Sequence, residues 1–260
     1  MIFWILLSIL FLGFSLRYNW WRIPYSLKHT RILMYHSISE HVHVEKHNKW
    51  RVKPNDFEKQ LKWFSQNGWT SYTVSELCSL ESIPQKSFAI TFDDGYEDNY
   101  THAFPLLKRF NFKATIYLVP NQTSNHWEAL PKESLSSLLT QDQIQTMQKS
   151  GLIEFGAHTL THKNLLHVKE PLLSQEILKA KEAVEALTHT ACQAFAYPYG
   201  KYNETIIETV KNAGYNNAVT VDRGLYTSQD NAFTIKRIGI LGTESFFDFY
   251  LRITRIRNKL

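Results

Sequence analysis

The chain is poor in the features that usually staple or loosen a protein. It has two cysteines, Cys78 and Cys192, with no CxxC spacing between them, which excludes a disulfide framework, a zinc knuckle and a redox pair. Ten glycines and eight prolines among 260 residues exclude collagen-like and low-complexity organisation. There is no internal repeat and no long linker. Acidic residues are missing from two stretches. Residues 17–31 hold Arg17, Arg22, Lys28 and Arg31 with no acid, and residues 252–260 hold Arg252, Arg255, Arg257 and Lys259 with none. Between these ends no basic stripe runs along the chain, so nucleic acid is not an expected partner, although the net charge is +5. What the chain does have is apolar residues at 43% and aromatics at 14%, enough to build a full core.

Residues 1–16, MIFWILLSILFLGFSL, carry no charge. A membrane-spanning helix needs about 17–25 apolar residues, and the run reaches that length only if Tyr18–Trp21 sit at the interface, where aromatic residues are favoured. No basic segment precedes it and no A-x-A site follows, so an uncleaved anchor is expected over residues 1–20 rather than a signal peptide. A basic juxtamembrane linker follows over 21–30, and one large domain over 31–260. The positive flank favours the cytoplasmic face of a cell membrane. A buried core helix is the alternative for this segment. The C-terminal run FFDFYLRITRIRNKL is amphipathic and basic, and suits either a membrane surface or an ordinary packing helix.

Beyond the anchor, strand-like and helix-like segments alternate. RILMY (31–35), 69–74, SFAITF (87–92), 112–119, LIEFG (152–156), 194–197, 218–221 and 233–240 read as strands. Residues 54–67, a helix opening at Ser75, 100–110, 140–149 with Thr140 as cap, 171–187, and 203–213 capped by Asn203 read as helices. The alternation predicts an α/β fold: a distorted (β/α) barrel of seven to eight parallel strands, with an open doubly wound sheet as the structural alternative. In both, sites collect at the C-terminal ends of strands. The chemistry-bearing residues fall there. SFAITF runs into Asp93-Asp94-Gly95, LIEFG into Ala157-His158-Thr159-Leu160-Thr161-His162, residues 194–197 into Pro198-Tyr199-Gly200, and RILMY into His36. An Asp-Gly pair after a strand is commonly only a turn. Together, two acids and two histidines at strand ends are the ingredients of a first-row metal site. The cluster His41, His43 and His47 lies in a polar loop without a neighbouring acidic ligand pattern and reads as a solvated or substrate-side loop.

TFDDGY, HTLTH and YPYG together resemble the polysaccharide deacetylases of carbohydrate esterase family 4, the NodB-homology fold, over about residues 30–240. The early LMYH segment is similar to the poly-β-1,6-N-acetylglucosamine deacetylases, whose last catalytic motif stands at the N-terminus. The resemblance implies that Asp94, His158 and His162 bind one divalent ion, zinc first, with Co, Ni, Fe or Mn as alternatives. It implies that Asp93 is the general base, that His36 is the acid that protonates the leaving amine, and that the Tyr199 backbone N–H holds the oxyanion on a turn set by Pro198 and Gly200. Trp127, in a long connection after a strand, is a candidate to stack on a sugar beside Pro198 and Tyr199.

The sequence departs from the wider family at Ala196, where an Arg that orients the base is usual; Arg237, at a strand end, is the candidate substitute. The family's late Asp-x-x-Trp and Leu-x-His motifs are missing after residue 214. The implied function is metal-dependent removal of N-acetyl groups from N-acetylhexosamine units of a polysaccharide or of a lipid-linked amino sugar. A non-catalytic sugar-binding module on a degenerate fold is the rival.

Overall fold

A computed structural model describes residues 1–18, 20–42, 46–128 and 135–256. The elements follow in the order α1 (Ile2–Tyr18), β1 (Arg31–Tyr35), α2 (Pro54–Gln66), β2 (Thr70–Tyr72), α3 (Val74–Ser79), β3 (Ser87–Phe92), α4 (Phe104–Phe110), β4 (Ala114–Leu118) and α5 (Gln141–Lys149). They continue with β5 (Ile153–Ala157), α6 (Leu172–Thr188), β6 (Ala194–Ala196), α7 (Glu204–Asn212), β7 (Asn217–Arg223), β8 (Ile235–Gly239) and α8 (Phe246–Thr254). All strand pairings between them are parallel.

The sheet closes because β1 pairs with both β8 and β3, giving a ring of seven strands, β1-β8-β7-β6-β5-β4-β3. β2 stays outside the ring. It pairs with the first half of β3 (87–89), while β4 takes the second half of the same edge (90–92). The barrel expected from the alternation is therefore present, and the open sheet is not.

Strand periodicity sorts the residues into two layers. On β1 and β3, Leu33, Tyr35, Phe88, Ile90 and Phe92 face outward into the core shared with the helices. Ile32 and Ala89 face the lumen with Tyr117, Ala194, Ala196, Val219 and Ile235. Phe64 of α2 stacks on Phe88 with ring centroids 4.1 Å apart. The lumen-facing side chains at 89, 194 and 196 are alanines, which leaves space for two large ones, Tyr117 and Arg237, both fully buried.

Helix ends follow local capping chemistry. Thr140 caps α5 in a reciprocal capping box with Gln143, and Asn203 caps α7 by accepting from the Ile206 N–H. α3 opens earlier than expected: Thr73, not Ser75, is its cap, closed by Glu76. The helix expected over 100–110 begins as a π-helical turn at Asn99–Ala103 before α4.

The expected membrane-spanning anchor is not supported. α1 is 17 residues long, roughly 26 Å at 1.5 Å per residue against a hydrocarbon core of about 30 Å. Trp20 and Trp21, which would have supplied the missing length, lie in a turn beyond it. Among the described residues no helix is long and apolar enough to cross a membrane. α1 buries none of its residues; near its end Phe14 and Tyr18 contact Phe247 and Arg17 lies 3.7 Å from Asp248. The C-terminal run forms α8, with Phe249, Leu251 and Ile253 buried, so its described part is a packing helix; Arg257 and Lys259 lie outside the described residues.

Candidate active site

The motifs converge at the C-terminal ends of the strands. After β3 the chain turns through Asp94 (φ 74°) and Gly95 (φ 72°). A side chain at 95 would strike Leu118 Cδ2 at 2.8 Å, so glycine serves both the left-handed backbone and the close approach of β4. Thr159, His162 and Tyr199 are also left-handed. Four of the seven non-glycine residues with positive φ among the described residues therefore sit at this one end of the barrel. Strain of this kind persists where surrounding structure over-determines it, and it clusters at functional sites.

Asp94, His158 and His162 bring one ligand atom each to within 4.8 Å of one another, and all three residues are buried. The Nε2 atoms of His158 and His162 stand 3.6 and 3.2 Å from Asp94 Oδ1. That oxygen is buried and has no hydrogen-bond partner, although a buried carboxylate oxygen is costly to leave unsatisfied. The opposite ring nitrogens are held from behind. His158 Nδ1 donates to the Ala196 carbonyl at 2.8 Å, and His162 Nδ1 lies 3.2 Å from the Tyr199 hydroxyl. A ring that donates from Nδ1 presents a lone pair at Nε2, the arrangement that fixes histidine as a metal ligand. Burial, reinforced by the neighbouring His162, pulls the His158 imidazole down to about 4. It is therefore neutral at pH 7, as ligation requires. Burial would raise the Asp94 carboxyl, but the surrounding His162, His36 and His158 hold it well below the usual carboxylate range. An orphaned oxygen aimed between two oriented nitrogens, with two nitrogens and one carboxylate as donors, fits a divalent first-row ion.

Asp93 points inward beside this triad. Arg237 reaches it from β8 with two bonds of 2.7 Å, NH1 to Oδ1 and NH2 to Oδ2. The guanidinium is itself held by Nε donating to Thr220 O and NH1 to Thr91 Oγ1. Burial acts to raise the Asp93 carboxyl, and the arginine's charge and hydrogen bonds more than offset that, leaving it below its ordinary value. The alanine at 196 lines the lumen that Arg237 occupies.

His36 follows β1 and packs against Trp50, centroids 4.6 Å apart and planes tilted by 38°. It is close enough to Asp93 and Asp94 to lower both carboxyls, and its Nδ1 is buried without a partner. Pro198 and Tyr199 form a short turn after β6, closed by Gly200 N–H donating to Tyr197 O at 2.9 Å. Trp127 lies flat on His162, centroids 4.5 Å apart and planes 17° apart, with its Nε1 buried and unpartnered. Together with His126, Lys163, Asn164 and Tyr199 it lines an open cleft of about 710 Å³ that leads to the triad.

Sequence reasoning missed the residues that hold these groups. Asp98 accepts from Ser37 Oγ at 2.5 Å and from the Ile38 N–H at 2.8 Å, and Asn99 Nδ2 donates to His36 O. Together they fix the loop that carries His36. Glu176, a buried residue of α6, accepts from Thr161 N and Oγ1 and so sets the HTLTH turn. A buried acid at a core position of α6 is the one signal that could have exposed it. Of the loop histidines, His41 reaches the Arg51 carbonyl, and His43 lies outside the described residues.

Comparison with known proteins gives a consistent result. The profile of the polysaccharide deacetylase family matches residues 81–218. The Bacillus subtilis protein YxkH, whose name places it among the polysaccharide deacetylases, is 30% identical over 213 residues, covering 80% of this chain and 70% of its own. The poly-β-1,6-N-acetyl-D-glucosamine N-deacetylase of Staphylococcus aureus is 25% identical over 202 residues, 73% of this chain and 67% of its own. The solved structure of the Streptococcus pyogenes deacetylase PplD in complex with acetate superposes with a TM-score of 0.73 at 26% identity, covering 89% of this chain and 99% of that one.

Proposed function

The chain belongs to the polysaccharide deacetylase family, a family of hydrolases that act on carbon–nitrogen amide bonds, and from that premise we propose that it removes the N-acetyl group from N-acetylhexosamine units of a glycan and releases acetate. The observation that carries the reading is the buried Asp94–His158–His162 triad with the Asp93–Arg237 pair beside it. A polymer is preferred over a lipid-linked sugar because the open cleft beside His162 is walled by Trp127 and Tyr199, flat faces suited to sugar rings.

A divalent ion held by Asp94, His158 and His162 would polarise the acetamido carbonyl and make an adjacent water a better nucleophile near neutral pH. The remaining work falls to the chain. Asp93 accepts the proton of the attacking water; each of its oxygens retains a lone pair after pairing with Arg237. Arg237 keeps that carboxylate ionised and correctly turned. The Tyr199 N–H, on its strained turn, donates to the developing oxyanion. His36, on the other side, gives a proton to the amine nitrogen as the C–N bond breaks, which an amine leaving group requires. Tyr199 thus has two parts: its backbone for the oxyanion, and its hydroxyl for the ring of His162. The rival reading, a non-catalytic sugar module, rested on Ala196, and Arg237 supplies the guanidinium that position lacks.

Acetate release from β-1,6-linked and β-1,4-linked N-acetylglucosamine oligomers, with and without chelator, tests the proposal. Release should stop with chelator and return with Zn²⁺ or Co²⁺. Asp93→Asn should lower kcat by about 10²–10⁴-fold while ion affinity, read by calorimetry, stays within a few-fold. Release that ignores the chelator, or an Asp93→Asn protein of full activity, would refute it.

A further inference from the structure

At the opposite end of the barrel, where the strands begin, the structure holds a buried charge with no carboxylate against it among the described residues. Arg31, the first residue of β1, is 1% exposed. Its guanidinium donates to four main-chain carbonyls: Nε to Ile253 O at 3.1 Å, NH1 to Ser26 O at 2.7 Å and to His29 O, and NH2 to Tyr25 O. It lies over the rings of Trp69 and Tyr25, at 4.8 and 5.7 Å. Carbonyls and aromatic faces satisfy its donors but carry no net negative charge. Among the described residues no carboxylate pairs with it, and burial pulls it down to about 10. A buried cation without a counter-charge is costly, and such groups are normally paired.

Arg31 forms part of the wall of a pocket of about 350 Å³, within the size range of small-ligand sites. Two more cations line it, Lys86 and Arg255, and among the described residues no acid does. Lys86 gives Nζ to Asn67 O, and Arg255 gives Nε to Trp20 O, which holds both side chains at the rim. The other walls are aromatic, including Trp63, Trp69 and Tyr250. The pocket is built from both ends of the chain: Tyr25 N–H donates to Thr254 O and Ile256 N–H to Ile23 O. Three cations without an acid, one of them buried, set in aromatic walls, make a site for an anion that carries an apolar or sugar portion.

We propose that this pocket binds a phosphate ester, the phosphate facing Lys86 and Arg255 in the field of Arg31 and the organic part lying against the aromatic walls. A soluble phosphate ester and a phospholipid headgroup share that chemistry. The site is separate from the triad at the other end of the strands and does not depend on the reaction assigned there.

The test uses the full chain. Tryptophan fluorescence, reported by Trp63 and Trp69 in the walls, is titrated with glycerol 3-phosphate. In parallel, flotation is measured with vesicles of phosphatidylglycerol and of phosphatidylcholine. Lys86→Gln with Arg255→Gln should weaken binding by about tenfold or more, as expected for loss of charge-assisted hydrogen bonds. Acetate release from soluble oligomers should stay unchanged. The charge-preserving pair Lys86→Arg with Arg255→Lys should bind within a few-fold of the parent, which separates charge from folding. Saturable binding of glycerol 3-phosphate that the Gln pair weakens supports the site with a soluble ligand. Flotation on phosphatidylglycerol alone, lost in the Gln pair, supports it with a lipid headgroup. If neither probe binds, or the Gln pair binds as the parent does, the proposal is overturned.

Discussion

The pairing of Asp93 with Arg237 shows at single-residue scale why a position cannot be judged by its neighbours in sequence. The usual arginine is absent at 196, and the guanidinium arrives instead from residue 237, with both oxygens of Asp93 engaged at 2.7 Å. Removing one partner of a buried pair leaves the other uncompensated, at a cost of about 3–5 kcal/mol. Arg237→Ala should therefore lower stability by about that much in denaturant titration and also reduce kcat. In the double variant Arg237→Ala with Asp93→Asn, much of the stability should return while activity stays lost. Full additivity in that cycle would mean the two residues do not act as a pair. Asp93, Asp94, His158 and His162 were legible as chemistry because they follow strands in short motifs. Arg237 was legible only as a candidate, since reaching Asp93 depends on how the ring closes. Glu176 and Asp98 were not legible, because a supporting acid looks like any other until its donors are known.

Among the elements, the strands were read to within about two residues, since continuous apolar runs such as SFAITF mark buried parallel strands. Pairing was less accessible. Nothing local says that β1 joins β3 or that β2 stays outside, because both outcomes bury the same side chains. The start of α3 was misplaced by one competing cap: Ser75 and Thr73 are both good caps, and Glu76 three residues after Thr73 decides it. The π-helical turn at Asn99–Ala103 bears on the proposed role of His36, since Asp98 at its entrance ties down the loop after β1. Asp98→Ala should free that loop and blunt His36. An amide should suffer more than an acetyl ester, whose leaving group needs less protonation. The expected result is about a tenfold fall in kcat for the amide and a smaller one for the ester. Equal losses would mean that the loop does not act through His36.

For the molecule as a whole, the site contributes to the response to acid. The unfolded imidazole of His158 takes a proton near 6.5, and the folded one only near 4. Between those values the unfolded chain binds more protons, so stability falls as pH drops through this window. Asp93 acts in the same direction at lower pH, because its depressed carboxyl must be protonated before Arg237 lets go. In chelator, the melting temperature should therefore decline from pH 6.5 to 4, and His158→Asn should flatten that part of the curve. A flat profile in the parent chain would contradict the burial assigned to His158.

The ring also gives the Asp93–Arg237 contact a meaning beyond orientation. β3 and β8 are not neighbours; β1 stands between them, and the two side chains meet across the interior. The ion pair is a spoke, and it exists only while the hoop is shut. A partly folded chain with its helices packed and β1 still unpaired would have every motif intact and no oriented Asp93, the proposed base. Hydrolysis would then be an all-or-none report of closure, and a nascent chain would stay inert toward glycan until its last strand had come home.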